Sequence, residues 1–442
     1  MERSEEEREF VVQAAEERGI RFVQLWFTDV LGELKGFAIP AEELPEALAE
    51  GASFDGSSIE GFARLHEADM IAMPVPRTFQ SLPWRPQEAG VARMFCDVLD
   101  ADGRPFEGDP RRVLTKVVRT AQEMGFSAYV GPEIDFFLFE SDGEPEPIDG
   151  SSYFDLTPHD GASDIRRRVL LYLEGMGIPV KDSHHEMAVS QHGIDLRHAD
   201  ALTIADSIMS FRLIVKEVAR ELGLHATFMP KPITGAQGSG MHTHISLFEG
   251  ERNAFFDPTD AYGLSKVGRS FTAGLLRHGP ETIAITNQWV NSYKRLVAGF
   301  EAPTQAGWGA RNRSALVRVP VTKRGKEAAC RVEYRAPDPA CNPYLALAVI
   351  LAAGLDGIRQ ELELPAETTG ATTDGHLEGT NGSRPLPRTL GDALQAMEPS
   401  ELVHDVLGEH LFDWFLANKV AEWREHTMHV TDLEIRRYLP RL

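Results

Sequence analysis

Three strand-like segments of the sequence carry polar side chains two residues apart. Successive side chains of a strand point to opposite faces, so residues i and i+2 share a face. These residues are Glu133 and Asp135 in GPEIDFFLF, His242, His244 and Ser246 in GMHTHISLF, and Glu333 and Arg335 in RVEYRAPD. Carboxylates and an imidazole that converge on one cavity suit a hard divalent cation such as Mg²⁺ or Mn²⁺. Spacing alone does not show that the three strands meet, and a single polar residue on a strand is more often solvated than a ligand.

Two further segments could take part in chemistry. His184, His185 and Glu186 form a fourth group of candidate metal ligands. Basic residues are dense in one stretch of this acidic chain, namely Arg311, Arg313, Arg318, Lys323, Arg324, Lys326, Arg331 and Arg335. Such density indicates an anionic ligand, for example a nucleotide triphosphate or a carboxylate, which arginine binds through paired hydrogen bonds. A subunit interface or a solvated loop would account for the basic stretch equally well.

The overall composition excludes several classes of protein. The chain has 442 residues, of which 42% are hydrophobic and 25% charged, as in an ordinary globular protein of two or three domains. Its formal charge of −22 is unsuited to nucleic acid or to an anionic membrane surface, so we expect neither as a partner. Three cysteines without metal-site spacing, and a charged amino terminus without a signal peptide, predict a cytoplasmic location. The longest apolar stretch, 344–355, is too short to cross a bilayer and predicts a buried helix.

The order of predicted elements indicates an α+β protein with a small first domain. Residues 5–18 have helical spacing, residues 20–27 and 37–39 are rich in strand formers, and residues 41–48 predict a short helix. The segment 82–110 is rich in Pro, Gly and Asp and is the candidate boundary, which divides the chain into domains 1–105 and 106–442. Helices and strands are mixed in the second domain, which is much larger than the first.

Seven segments, in their order and spacing, resemble bacterial type I glutamine synthetase. They are FDGSSIEGF, GPEIDFFLF, SHHEMA, GSGMHTH, NSYKRLVAGFEAP, RNRSALVRVP and RVEYRAPDPACNPYLA. The resemblance runs from about residue 20 to the end of the chain. It implies an α+β fold with a small amino-terminal β-grasp domain and a catalytic domain whose curved antiparallel sheet forms an open barrel. It also implies a homo-oligomer, a dodecamer of two stacked hexameric rings, in which neighbouring subunits share each active site.

The resemblance further implies roles for individual residues. The divalent ion that bridges the ATP phosphates would be held by Glu133, His242 and Glu333, and a second ion by Asp135 and Glu186. Two or three Mg²⁺ or Mn²⁺ ions would then occupy each site. On the ATP side we expect Arg313, Arg318, Arg331, His244 and Ser246. Glutamate would contact Arg295, Arg335, Gln237 and Gly238. The amine would lie between Asp55 of the adjacent subunit, Glu301 on a flap, Tyr153 and Ser58.

These roles agree with what amide synthesis demands. A carboxylate and an ammonium ion form a salt at neutral pH, so the γ-carboxylate must first be activated as an acyl phosphate with ATP. Metal ions and arginines neutralise charge on the transferred phosphoryl group. Carboxylates attract the protonated amine and can remove its proton before attack. We therefore take Asp55, Glu301 and Arg335 as the catalytic residues.

Three positions depart from the family pattern. Gly193 stands where the family has a carboxylate seven residues after Glu186, Asp135 replaces a glutamate, and Gln237 replaces an asparagine. One interpretation is a glutamine synthetase whose weakened second metal site uses Asp135, Glu186 and water, with His192 as a candidate helper. Another is a γ-glutamyl ligase for a polyamine or small alkylamine, which would use the room left by Gly193. A third, from a different class, is a non-catalytic structural or regulatory homologue.

Overall fold

A computed structural model describes residues 2–57, 59, 61, 69–85, 89–156, 162–368 and 383–442. The elements of its amino-terminal part are α1 (Glu2–Glu17), β1 (Ile20–Thr28), β2 (Leu34–Pro40), α2 (Leu44–Glu50), β3 (Ala52–Asp55), β4 (Asp69–Pro74), β5 (Gln80–Ser81) and β6 (Gly90–Asp100). The predicted strands at 20–27 and 37–39 and the predicted helix at 41–48 correspond to β1, β2 and α2.

The amino-terminal strands form one mixed sheet covered by two helices. Its order is β2-β1-β6-β4-β3, with β5 alongside β6; β1 and β6 are parallel and the other pairs antiparallel. Val23 and Leu25 of β1 are fully buried in a core that also contains Val11 of α1 and Leu44 and Leu48 of α2. This is the predicted β-grasp arrangement. The segment 82–110 contains β6, so its Pro, Gly and Asp residues belong mostly to the turns on either side of an internal strand.

The larger part of the chain alternates helices with a second set of strands. Its elements are α3 (Pro110–Glu123), β7 (Ser127–Phe139), α4 (Ser163–Gly175), β8 (Val180–His185), β9 (Gln191–Leu196), β10 (Ala199–Asp200), α5 (Ala201–Glu221), β11 (His225–Thr227), β12 (Met241–Glu249), β13 (Arg252–Asn253), α6 (Lys266–Thr286), α7 (Ser292–Arg295), β14 (Gln305–Ala306), β15 (Trp308–Gly309), β16 (Val317–Arg318), β17 (Val332–Tyr334), α8 (Pro343–Arg359), β18 (Arg384–Pro385), α9 (Leu390–Met397), α10 (Glu401–Met428) and α11 (Asp432–Tyr438).

The second sheet has the order β15-β16-β17-β12-β7-β9-β8 and is antiparallel except between β15 and β16. Within the described residues, β15 and β8 are its two free edges, as expected for an open barrel. The predicted buried helix at 344–355 is confirmed as α8, which lies against α6. Gly274 permits this contact, since a Cβ there would lie 2.2 Å from the carbonyl oxygen of Ala353. In the part of the chain that is described, no helix has the length and apolar run that crossing a bilayer requires.

A buried arginine connects the amino-terminal sheet to helices of the larger part of the chain. Arg111 of α3 donates two hydrogen bonds of 3.0 Å to the two carboxylate oxygens of Asp206 on α5, and a third to Asp97 on β6. The hydroxyl of Tyr344 on α8 donates to the same Asp206 at 2.7 Å. Arg111 is only 3% exposed. The guanidinium therefore supplies hydrogen bonds and a compensating charge to a carboxylate that is otherwise buried.

Replacing Arg111 by methionine should destabilise the protein far more than replacing a surface arginine of the same helix. Removing one partner of a buried ion pair costs about 3–5 kcal/mol, because the other charge is left without compensation. Arg119 also lies on α3, but its pairing with Glu123 is exposed to solvent. Losing a surface pair costs about 0–1 kcal/mol. Thermal unfolding of Arg111→Met and Arg119→Met measures the difference, and equal midpoints would contradict the structural role of Arg111.

Candidate active site

Four of the predicted polar residues meet on one face of the second sheet. Across the antiparallel ladders, His242 of β12 lies opposite Glu133 of β7, and His244 lies opposite Glu333 of β17. The Nε2 atom of His244 is 2.6 Å from Glu133 Oε1. The Nδ1 atom of His242 is 3.6 Å from Glu133 Oε2 and 3.8 Å from Glu333 Oε1. We call these four residues the Glu133 cluster, and donor atoms of Glu133, His244 and Glu333 are close enough together to bind one ion.

Both carboxylates of the Glu133 cluster are ionised at neutral pH. Burial alone would raise the pKa of Glu133, but hydrogen bonds from His242 and His244 and their charges hold this pKa well below its usual range. Burial also opposes ionisation of Glu333, yet the charges of His244, Arg335, His242 and Arg318 lower its pKa to about 2. Two carboxylates and two imidazoles fit Mg²⁺ or Mn²⁺, whose ligands are mainly oxygens with an occasional imidazole.

Arginines of the basic stretch surround the Glu133 cluster. Glu333 is fully buried, and its two oxygens accept from Arg335 and Arg318 respectively. The Nε–H group of Arg331 donates to Nδ1 of His244 at 3.2 Å. Of the basic stretch, Arg318, Arg331 and Arg335 therefore contact the cluster directly.

A buried arginine and several glycines form the next part of the site. Arg295, at the end of α7, donates to the carbonyl oxygens of Ala336 at 2.6 Å and of Arg335 at 3.1 Å. Burial lowers the pKa of Arg295 to about 10, so it stays charged at neutral pH. A Cβ at Gly238 would lie 3.0 Å from Arg295 Cγ, and one at Gly240 would lie 2.7 Å from Arg295 Nη2. The glycines before β12 thus allow the backbone to approach this guanidinium closely.

A second pair of carboxylates is formed by Asp135 of β7 and Glu186, which directly follows β8. The Oδ2 atom of Asp135 accepts the N–H group of Gly240 at 2.8 Å, and burial and the charge of Glu186 raise the pKa of Asp135 well above its usual range. Gln237, predicted near glutamate, directs its amide toward the sulfur of Met187 at 3.7 Å.

His192 cannot help the second metal site as we expected. It is fully buried, and its Nδ1 atom lies 2.9 Å from Arg166 Nη1. Adjacent residues of a strand point to opposite faces, so the side chain of His192 projects away from the face on which Gly193 borders Asp135. The strand periodicity that grouped the other site residues therefore excludes this one.

The predicted amine-side residues are only partly brought together. Tyr153 lies near the acidic groups. Burial is the main cause that raises the pKa of its hydroxyl, and the charges of Glu186, Glu133 and Glu301 raise this pKa further. Glu301 adopts a φ of +43°, which is uncommon for a residue with a side chain, and pairs with Arg313 at 3.4 Å. Asp55 lies at the exposed end of β3, where it accepts the N–H group of Ser57 at 2.8 Å. Ser58 lies outside the described residues.

A cavity of about 340 Å³ adjoins the Glu133 cluster. Glu133, His244, Ser246 and Arg331 line it together with apolar groups, including Tyr129 and Phe248, whose rings meet edge to face at 5.1 Å. The cavity is therefore lined partly by charged and polar groups and partly by apolar side chains. Such a combination suits a flat base whose phosphates reach the cluster.

An ion pair on the rim of this cavity was not predicted from the sequence. Lys181 and Asp195 lie 2.8 Å apart, and burial and the charge of Glu133 raise the pKa of Asp195 to about 6. Asp195 follows Gly193 by two residues on β9 and lies opposite Glu133 of β7. The i, i+2 rule could have found it.

A second group, Asp149, His185 and His192, was also missed as a unit. Its potential ligand atoms lie within 4.8 Å of one another. The Nδ1 atom of His192 lies 2.9 Å from Arg166 Nη1, which can only donate, so Nδ1 accepts a hydrogen bond from that guanidinium. His185 instead lies between Asp149, at 3.1 Å, and the carbonyl oxygen of Glu186, at 2.7 Å. The group therefore supports the backbone that presents Glu186.

Comparisons with known proteins give one consistent result. Residues 19–101 match the family described as the β-grasp domain of glutamine synthetase, and residues 107–438 match its catalytic domain. A glutamine synthetase of Mycolicibacterium smegmatis is 54% identical over 441 residues, covering 98% of this chain and 99% of that protein. One from Clostridium saccharobutylicum is 47% identical, covering 98% of each. A solved structure of a GmaS–ADP complex is 33% identical, with a TM-score of 0.89 over 97% of this chain and 99% of that one.

Proposed function

Because this chain belongs to the glutamine synthetase family, we propose that it is an ATP-dependent ligase that joins ammonia to the γ-carboxylate of glutamate. One observation carries this proposal. Arg318 and Arg335 both donate to the fully buried Glu333, which belongs to the Glu133 cluster. Ionised carboxylates and guanidinium groups at one point suit a phosphoryl group that is transferred between two anions. The adjoining cavity supports the binding of ATP there.

The first half of the reaction activates glutamate. Arg295 would hold the α-carboxylate and Arg335 the γ-carboxylate, so that a γ-carboxylate oxygen attacks the terminal phosphorus of ATP and ADP leaves. The product is γ-glutamyl phosphate. Arg318 and Arg331, with Arg313 from the rim, stabilise the charge on the phosphoryl oxygens. The residues of the Glu133 cluster would hold a Mg²⁺ or Mn²⁺ ion, which would supply further neutralisation of the phosphate charges.

The second half joins the amine to the activated carbonyl. Glu186, Tyr153 and Glu301 border the place where ammonium would bind, and Asp55 of an adjacent subunit completes it. A carboxylate removes a proton from ammonium, the nitrogen attacks the carbonyl carbon, and phosphate leaves with the oxygen that came from glutamate. The strained Glu301 loop, tied to Arg313 and to Arg335, would exclude water from the acyl phosphate.

The room that would favour a larger amine is already filled. A Cβ at Gly193 would lie 3.0 Å from both Glu186 Oε1 and His184 Nε2. The ends of the Glu186 and His184 side chains therefore occupy the space that a side chain at this position would fill. This supports ammonia as the amine, and the retention of Arg295, Arg335 and Glu301 supports catalysis over a purely structural role.

A test of the amine compares product formation with ammonium, methylamine, ethylamine and putrescine, each with glutamate, ATP and Mg²⁺ or Mn²⁺. We expect glutamine from ammonium with a kcat/KM at least tenfold above that for any organic amine, a difference of about 1.4 kcal/mol. Mass spectrometry identifies the products and ADP release gives the rates. Preference for an organic amine would overturn the ammonia assignment, and absence of ADP release with every amine would overturn the proposal of catalysis.

The assembly we propose is a homo-oligomer, a dodecamer of two hexameric rings. Asp55 is supported as a residue donated to a neighbour, because it is exposed on the amino-terminal sheet and its partner there is the local Ser57. Leu433 of α11, and Leu439 and Leu442 after its end, are exposed apolar side chains that a second copy could bury. We propose that the chain divides into domains 1–105 and 106–442. The boundary lies after the end of β6 and before the start of α3.

We also propose a cytoplasmic location, with which free thiols at all three cysteines agree.

A further inference from the structure

A buried lysine contacts the loop that presents Glu301. Lys231 is 9% exposed, and its ammonium lies 3.7 Å from the centroid of the Phe300 ring. We call residues 297–303 the Glu301 loop, in which Phe300 directly precedes Glu301. A lysine ammonium over an aromatic face is attracted by the electrons of the ring, most strongly where water is excluded. This contact therefore attaches the Glu301 loop to the segment that carries Lys231.

The same ammonium also holds the segment that carries Gln237. It donates a hydrogen bond to the carbonyl oxygen of Ala236, one residue before Gln237. We call residues 230–239 the Gln237 loop. Within the described part of the chain, the ammonium thus contacts a carbonyl oxygen and a ring instead of a carboxylate. Lys231 is therefore bound to both loops that would border glutamate.

The backbone of Lys231 is fixed to the segment that carries Arg295. Its N–H group donates to Asn291 Oδ1 at 2.7 Å, and its carbonyl oxygen accepts from Asn291 Nδ2 at 3.1 Å. Asn291 directly precedes α7, at whose end Arg295 lies. The ammonium therefore projects from a backbone that is held on both its donor and its acceptor side.

The Glu301 loop needs such a contact because its backbone is strained. Glu301 has a φ of +43°, a conformation that persists only where the surroundings hold it. Arg313 pairs with its carboxylate at 3.4 Å, and Arg335 donates to its carbonyl oxygen at 3.2 Å. Both arginines would take phosphate or carboxylate oxygens as new partners when the substrates bind. The contact between Lys231 and Phe300 uses no group to which we have assigned a substrate, so it can hold the loop throughout the reaction.

Resting on the proposed function, we propose that Lys231 is a positioning residue, which holds the Glu301 loop closed over γ-glutamyl phosphate through its contact with Phe300. When the loop is open, water can attack the carbonyl carbon of the intermediate. The bond from this carbon to the phosphate oxygen then breaks, and glutamate and phosphate leave. ATP is consumed in this way without formation of glutamine, which a closed loop prevents.

The ratio of ADP to glutamine measures this protection. With glutamate, ATP, ammonium and Mg²⁺ or Mn²⁺, we expect a ratio of about one in the unsubstituted protein. Lys231→Met removes the ammonium but keeps a long side chain. In this variant, ADP release without glutamine should rise at least about fivefold, within the range that a desolvated cation–π contact supports. A merely structural defect would lower both products together, so an unchanged ratio in folded Lys231→Met would overturn the assignment.

Variants of the ring test the partner of the ammonium. Phe300→Leu should raise the ratio as Lys231→Met does, whereas Phe300→Tyr keeps a ring and should stay near the unsubstituted value. In the double variant Lys231→Met with Phe300→Leu, the loss of one shared contact cannot be counted twice, so the ratio should be no higher than in the single variants. Fold-changes that multiply would overturn the shared contact. Lys266→Met is the matched control, because its ammonium pairs with Glu361 at an exposed site.

Hydrogen exchange gives a second readout that does not depend on turnover. Backbone amides of the Glu301 loop should exchange at least about fivefold faster in Lys231→Met than in the unsubstituted protein, while those of α8 should not change. Equal exchange in the Glu301 loop would overturn the assignment even if activity fell. If Lys231→Met does not fold, Phe300→Leu, at a half-buried position, decides both measurements. If exchange responds as expected but the unsubstituted protein forms no glutamine, the proposed function is overturned and the positioning of the loop by Lys231 is retained.

Discussion

Glu333→Gln should abolish nearly all activity while changing the side-chain shape very little. The substitution removes the negative charge at the point where the Glu133 cluster, Arg318 and Arg335 converge. Losing one preorganised charged group from a site of this kind lowers kcat by about 10²–10³-fold. Because Glu333 is also a proposed metal ligand, we expect weaker Mn²⁺ binding at the cluster in the same variant.

The control for this substitution is Glu249→Gln, at the exposed end of β12, where the carboxylate pairs with Arg252. Its activity should stay within about twofold of the unsubstituted enzyme, as a surface pair is worth little. Glu333→Gln leaves two arginines without their buried partner, so its thermal midpoint must be measured alongside kcat. If it fails to fold, Glu133→Gln offers the same test at a less buried carboxylate. Normal kcat in a folded variant would exclude the cluster from catalysis.

Arg335→Lys should lower kcat strongly although the positive charge is kept. Arg335 donates to Glu333, to the carbonyl oxygen of Arg313 at 2.9 Å and to that of Glu301 at 3.2 Å. A lysine ammonium is a single point of charge and cannot reach the three partners from one position. We expect kcat to fall by about 10²-fold, the effect of losing one oriented donor. The KM for glutamate should rise as well, because the γ-carboxylate loses its paired hydrogen bonds.

Arg324→Lys is the matched control for this variant. Arg324 is exposed in the turn before β17, and its substitution should leave both kcat and KM unchanged within about twofold. Steady-state kinetics with glutamate as the varied substrate separates the two effects. If kcat for Arg335→Lys stays within threefold of that for the unsubstituted enzyme, catalysis does not need the several hydrogen bonds that the guanidinium donates at once.

Much of the site follows from a local rule of strand geometry. Glu133, His242, His244 and Glu333 were grouped because residues two apart on a strand share a face. Which strands are neighbours, and in what register, depends on contacts between residues more than a hundred positions apart, such as His242 and Glu133. No local pattern contains that information. The pairing therefore had to come from the structure or from the resemblance.

The space beside Gly193 shows a different limit. A missing side chain suggests room when the sequence is considered alone, and on that basis a larger amine was an open alternative. The neighbouring strand fills the room with His184, two residues before Glu186. Packing across strands decides whether a glycine leaves a cavity or admits a neighbour, and no count of side-chain atoms along one strand predicts the outcome.

Asp55 shows a third limit, because its proposed site lies in another copy of the chain. The motif around it is recognisable, yet within the described residues its carboxylate is engaged by a turn with Ser57. A residue that acts across an interface has no local partner to reveal its role. Only the assembled oligomer can bring it to the amine.

The proposed reaction passes through γ-glutamyl phosphate, and transfer of oxygen from glutamate to phosphate tests this intermediate most directly. Glutamate labelled with ¹⁸O in the γ-carboxylate is converted with ATP and ammonium, and the released phosphate is analysed by mass spectrometry. If a γ-carboxylate oxygen attacks the terminal phosphorus, each phosphate carries one oxygen from glutamate, and from fully labelled glutamate it gains one ¹⁸O. Phosphate without ¹⁸O, released together with glutamine, would contradict activation of the carboxylate by phosphoryl transfer.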